Sequence, residues 1–202
     1  MVGSVLYLEG GGGKELDIRC RQGFRELLGS CGFEGRMPKL IPCGGRGDTL
    51  NRFTSFHGTG ANLKFAAMLI DSEMPLEKVE STWEHLNRHD RWSRPGGVTD
   101  EQVLFMATCM ETWIAADRRA LKSHFGHRLE ESKLPPLEKM ESRSRQDVQD
   151  RLIRATKKCG RPYAKGGQSY VVLGKLKPAE LEKHLPSFKR AIRILKEKLL
   201  DF

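Results

Sequence analysis

Short apolar runs alternate with stretches of helical period through the first half of the chain. VLYL at 5–8 reads as a buried strand. After GGGG, the apolar positions Leu16, Cys20, Phe24, Leu27, Leu28 and Cys31 recur at helical spacing, and Gly29 and Gly32 end that helix. KLIPC at 39–43 is a second strand whose pairing Pro42 restricts, and GGRGD at 44–48 turns the chain toward a weaker helix over 49–56. FAAMLID at 65–71 is continuous and apolar, as a strand covered on both faces should be. Pro75 then opens a helix carrying Leu76, Val79, Trp83 and Leu86 on one stripe. RWSRPGGVTD at 91–100 is a polar loop, and VLFMATC at 103–109 gives a fourth strand. METWIA and a helix capped by Asp117 follow it.

This order predicts an α/β fold: a mostly parallel four-stranded sheet flanked by helices. Beyond position 145 the pattern is helical. Val148, Leu152 and Ile153 form one stripe and Ile192, Leu195 and Leu199 another, with RPYAKGGQSY at 161–170 as the loop between them. The expected division is an α/β core over 1–117 and a helical region over 118–202 packed on the same domain.

Charge sharpens that division. Residues 1–117 hold 13 Lys and Arg against 16 Asp and Glu, a net −3; residues 118–202 hold 22 against 10, a net +12. A basic second half is either solvated helix surface or a contact face for phosphates or an acidic partner. With 38% hydrophobic and 30% charged residues the composition is that of a soluble globular protein. No apolar run approaches the ~20 residues of a membrane span, and the N-terminal VGSVLYL lacks the basic leader and length of a signal peptide. Five widely spaced cysteines without a C-x-x-C pair suit reduced, buried thiols in the cytoplasm rather than a disulfide framework or zinc site.

Four acids follow strand ends: Glu9 after the first strand, Asp71 and Glu73 at the end of the third, and Glu111 after the fourth. In a parallel sheet those ends share one edge, where open α/β folds place their sites. If the strand stays extended, Asp71 and Glu73 point to the same side. Converging carboxylates repel one another unless a divalent cation joins them, and Mg²⁺ or Mn²⁺ suits an all-oxygen donor set that also accepts phosphate. Dipole-favoured acids ahead of helices are the plainer explanation of each one alone. The glycine run is not a P-loop, because Leu8 stands where the first glycine belongs and Glu15 where Ser or Thr should follow Lys14; the spaced glycines of a dinucleotide fingerprint are missing too. Gly10, Gly11 and Gly12 remain candidate cofactor-binding positions by composition, alongside their reading as a tight turn. No histidine shows metal-ligand spacing, and no G-x-S-x-G is present.

LEGGG (8–12), CRQGF (20–24), GFEGRMP (32–38), CGGR (43–46), LIDSE (69–73), CMETW (109–113), AAD (115–117) and YAKG (163–166) together resemble a bacterial family of stand-alone Toprim-like proteins. Through it the chain is similar to the Toprim superfamily of topoisomerases, primases and overcoming-lysogenization-type nucleases. The resemblance implies a Toprim-like fold and divalent-metal-dependent phosphodiester hydrolysis of nucleic acid, with a possible place in phage defence beside an ABC- or OLD-type ATPase. It puts Glu9 at the first acid motif and Asp71 with Glu73 at the acid pair, where the usual pair is Asp-x-Asp and Glu73 is longer by a methylene. Asp71 and Glu73 would hold Mg²⁺ or Mn²⁺, with Glu111 completing the shell or holding a second ion. Glu9 would act as ligand or general base. Lys165, in a glycine-flanked loop, is the candidate for stabilising transition-state charge, and the basic half would grip backbone phosphates. The alternative is a non-catalytic module that binds nucleic acid or an ATPase.

Overall fold

Four strands, β1 (Ser4–Leu8), β2 (Lys39–Pro42), β3 (Phe65–Asp71) and β4 (Val103–Met106), pair in parallel in the order β2-β1-β3-β4. They belong to a computed structural model that describes residues 3–58 and 64–200. The helices are α1 (Lys14–Leu28), α2 (Arg46–Gly58), α3 (Thr82–Asp90), α4 (Met110–Ala116), α5 (Arg118–Phe125), α6 (Arg145–Thr156), α7 (Gly167–Leu173), α8 (Pro178–His184) and α9 (Pro186–Leu199). The expected α/β fold with a parallel four-stranded sheet is what the chain forms.

Period-two alternation explains the two cores. Val5 and Tyr7 of β1, with Met68 and Ile70 of β3, pack with Phe53, Trp83 and Leu86 on one face. Leu6, Leu8, Ala67 and Leu69 point the other way, into a cluster that runs through Phe24, Trp113, Leu152, Leu173 and Phe188 to Leu199. The basic half therefore shares its apolar cluster with one face of the sheet. Pro42 sits on the edge strand, where a missing N–H costs least. All five cysteines are free and buried.

Several boundaries differ from the sequence expectation. The third helix does not open at Pro75 but at Thr82. Its start is set by Asp100, whose Oδ1 accepts from Trp83 N at 2.8 Å and whose backbone O accepts from Thr82 Oγ1 at 3.0 Å. β4 ends at Met106, and α2 already begins at Arg46. α7 occupies the second part of the expected 161–170 loop. On α6 the buried positions are Val148, Leu152, Ala155 and Thr156, which leaves Ile153 on the other side and 48% exposed. Asp117 is the expected cap: Oδ1 accepts from Ala120 N at 2.9 Å, while Oδ2 accepts from Lys177 N at 2.8 Å.

α9 starts on a half-buried acid. Glu141 Oε1 accepts from Ser187 N at 3.0 Å, and Ser187 Oγ donates to the same oxygen at 2.5 Å. Burial pushes the Glu141 carboxyl up from 4.5 to about 7, against the pull of the Ser187 donors. The unfolded chain gives up this proton near 4.5 and the folded chain near 7, so the folded state holds the extra proton in between. The resulting stabilisation is complete below 4.5 and is lost as the pH rises through about 7. Glu141→Gln is expected to remove about 1–3 kcal/mol of that pH dependence, read as the difference between mutant and wild-type urea titrations at pH 4.5 and 8.

Candidate metal centre

The C-terminal ends of β1 and β3 are neighbours, which brings Glu9 beside Asp71. Glu9 N continues the ladder to Leu69 O at 2.9 Å, and Asp71 N donates to Glu9 Oε2 at 2.9 Å. Met110 N, at the start of α4, donates to Asp71 Oδ1 at 2.9 Å. Glu73 does not continue the extended strand. Its φ is 63°, and its N–H donates to Thr108 O at 3.0 Å. This left-handed step, rather than same-side pleating, delivers the Glu73 carboxylate to the site. Glu9, Asp71 and Glu73 each offer an oxygen within 4.8 Å of the others.

Every one of these carboxylates has one oxygen held and one left over. Glu9 Oε2 is held by Asp71 N, Asp71 Oδ1 by Met110 N, and Glu73 Oε2 by an Arg145 Nη1 ion pair. Among the described residues no chain donor engages Glu9 Oε1, Asp71 Oδ2 or Glu73 Oε1. Oxygens on opposite sides of a hard cation ligated at ~2.0–2.1 Å lie about 4.1 Å apart, so small side-chain shifts would let one oxygen from each carboxylate share an ion. The donor set is hard oxygen throughout and fits Mg²⁺ or Mn²⁺.

The electrostatics are those of a crowded acid cluster. Burial, opposed by the Asp71 amide and Arg46 and assisted by Glu73, pushes the Glu9 carboxyl up to about 7. Asp71 is raised well above the usual carboxylate range, first by its burial and then by Glu9 and Glu111. Both shifts record the cost of burying negative charge beside other acids.

Glu111 is buried and lines the same cleft, but it is not one of the three. Its Oε1 accepts from Tyr163 OH at 2.9 Å and its Oε2 from Gln149 Nε2 at 3.1 Å, so it ties α4 to α6 and to the chain ahead of α7. Lys165 is exposed and lies on the lining of this cleft of about 300 Å³ together with Glu9, Asp71, Gly10, Gly11 and Tyr170.

Gly10 and Gly11 line the cleft, and the amides of Gly10, Gly11 and Gly12 are spent inside the chain. Gly10 to Gly13 all take positive φ, between 89° and 154°, as the turn demands. Gly10 N donates to Gly44 O at 2.8 Å, Gly11 N to Tyr170 OH at 2.9 Å and Gly12 N to Asp17 Oδ1 at 3.0 Å. A phosphate cradle needs free amides, and here the Asp17 carboxylate already accepts from the Gly12 amide. Gly10, Gly11 and Gly12 are therefore placed as structural turn residues beside the acids, in contrast to the cofactor-binding role expected from composition.

Sequence reasoning missed the cations. Arg46 clamps Asp90 with Nη1 at 2.6 Å and Nη2 at 2.9 Å, stacks 5.0 Å from the Trp92 ring and turns Nε to within 3.9 Å of Glu9 Oε2. Its place at the start of α2, in the CGGR turn just after β2, was a usable signal. Arg145 is 72 residues from Glu73 and carries no local signal at all.

A family model described as Domain of unknown function (DUF4276) matches residues 33–196. The chain belongs to that family. The match takes in Asp71, Glu73, Glu111, Arg145 and Lys165, while Glu9 and the glycine run precede it. No curated protein and no solved structure matches the chain. Among the described residues no helix is long and apolar enough to cross a membrane.

Proposed function

We propose that the chain is a Toprim-like, divalent-metal-dependent phosphodiesterase acting on nucleic acid. The observation that carries this reading is the half-held cluster of Glu9, Asp71 and Glu73, each of which offers a carboxylate oxygen within 4.8 Å of the others. A bound Mg²⁺ or Mn²⁺ would offset the carboxylate charge, polarise a phosphoryl oxygen and make an attacking water more acidic. The chain's own residues do the rest. Asp71 and Glu73 hold the ion, and the Asp71 backbone amide fixes the orientation of Glu9, which serves as a further ligand or takes the water's proton. Lys165, across the cleft on the exposed loop before α7, meets the charge that develops on the phosphoryl group. Glu111 supports this wall from its bonds to Tyr163 and Gln149.

The basic second half supplies a sequence-independent grip on the phosphate backbone, and binding should weaken steeply with salt. Its free, buried cysteines support a cytoplasmic protein, and its resemblance supports a role in phage defence beside an ABC- or OLD-type ATPase. The test of the chemistry is cleavage of labelled single- and double-stranded DNA and RNA with Mg²⁺, with Mn²⁺ and with EDTA. Cleavage is expected only with metal and is expected to fall about 100-fold or more in Glu9→Gln. Binding without cleavage under every metal condition would mark a non-catalytic nucleic-acid module instead.

A further inference from the structure

The two arginines near the acids differ in what they leave open. Arg46 spends both terminal nitrogens on Asp90, and its side chain is only 12% exposed. Arg145, the first residue of α6, uses Nη1 alone on Glu73, and its side chain is 29% exposed. No chain acceptor among the described residues engages its Nη2 or Nε, and neither atom is a buried orphan. A guanidinium with one corner pinned still presents a two-donor edge, the geometry that matches a phosphate. The pin holds that edge one side chain away from the point where the three carboxylates converge.

Resting on the metal reading above, we propose that Arg145 is the side chain that grips the substrate phosphodiester next to the ion, with Glu73 keeping it in place. The carboxylates alone would repel a phosphate, and Arg46 has no free fork to offer one. Arg145 also gives the basic half a defined entry to the site, since α6 belongs to it and packs on α4, whose first amide holds Asp71. This makes the anionic diester itself, rather than a base, the group recognised at the centre.

The test uses the full chain, Mn²⁺ uptake by calorimetry, and anisotropy of a fluorescein-labelled single-stranded DNA in Ca²⁺ over a series of salt concentrations. Arg145→Gln keeps a donor for Glu73, so Mn²⁺ uptake should stay within about threefold of wild type while DNA affinity falls about tenfold or more. The salt slope should drop by about one phosphate contact. Arg145→Lys, which keeps the charge but not the fork, should lie between. Arg154→Gln removes the same charge from an exposed position on the same helix and should change affinity less than about twofold. If the wild type binds Mn²⁺ and Arg145→Gln weakens DNA binding no more than Arg154→Gln does, the assignment of Arg145 is overturned and the metal reading stands. If the wild type takes up no Mn²⁺, both fall.

Discussion

Asp71→Asn is expected to abolish Mn²⁺ uptake and cleavage while making the protein harder to melt. Outer-sphere partners of metal sites cost about 10–100-fold in affinity when lost, so neutralising a central ligand should cost at least about 100-fold. The opposite sign for stability follows from the environment of the side chain. Asp71 is buried against Glu9 and Glu111, and its carboxyl sits well above the ordinary range, so its ionised form weakens the fold at neutral pH. An asparagine carbonyl can still accept from Met110 N and removes the repulsion. A gain of about 1–2 kcal/mol is the usual size of such stability–function exchanges. Calorimetric titration and a melting curve on the same sample read both effects. A purely structural Asp71 would give the reverse: a loss of stability and unchanged metal uptake.

The second large effect concerns the tether between the basic half and the sheet. Arg190 of α9 is buried, donating from Nη1 to Val103 O at 2.9 Å, from Nη2 to Asp100 O at 2.8 Å and from Nε to Glu80 Oε2 at 2.7 Å. Val103 begins β4, and Asp100 caps α3, so one guanidinium fastens the last helix to two elements of the α/β half. Arg190→Ala removes the guanidinium donors from both carbonyl groups, leaving Asp100 O only its bond from Thr82 Oγ1, and empties the space of the side-chain stem, for an expected loss of about 2–4 kcal/mol. Glu80 is 68% exposed on its side chain and returns to water at little cost, so Glu80→Gln should lose less than about 1 kcal/mol. Urea unfolding of the two variants separates these cases. Equal losses would mean that the ion pair, rather than the carbonyl contacts, holds the helix.

What the sequence revealed tracks how local the deciding interaction is. β1 and β3 were legible because both faces of each strand are buried, which writes an unbroken apolar run. The Asp117 cap was legible because its partner, Ala120, lies three residues on. The start of α3 was not, since Asp100 sets it from 17 residues downstream of Trp83. Glu9 and Asp71 lie side by side at neighbouring parallel strand ends, as the strand-end logic expected. Glu73 reached the same site for a different reason, through a left-handed residue that no pleat rule anticipates. Glu111 followed the strand-end rule too, yet Tyr163 and Gln149, 52 and 38 residues away, claim its oxygens. The glycine run concealed a nearer clue. Asp17, five residues beyond Gly12, was positioned to take its amide, while Tyr170 reaches Gly11 from 159 residues away.

The most direct measurement is anomalous diffraction from a crystal grown with Mn²⁺. The expected result is a peak bounded by Glu9, Asp71 and Glu73, with an oxygen from each at roughly the 2.0–2.2 Å of a hard-cation bond. An ordered cluster with no peak, or a peak ligated elsewhere on the molecule, contradicts the metal centre.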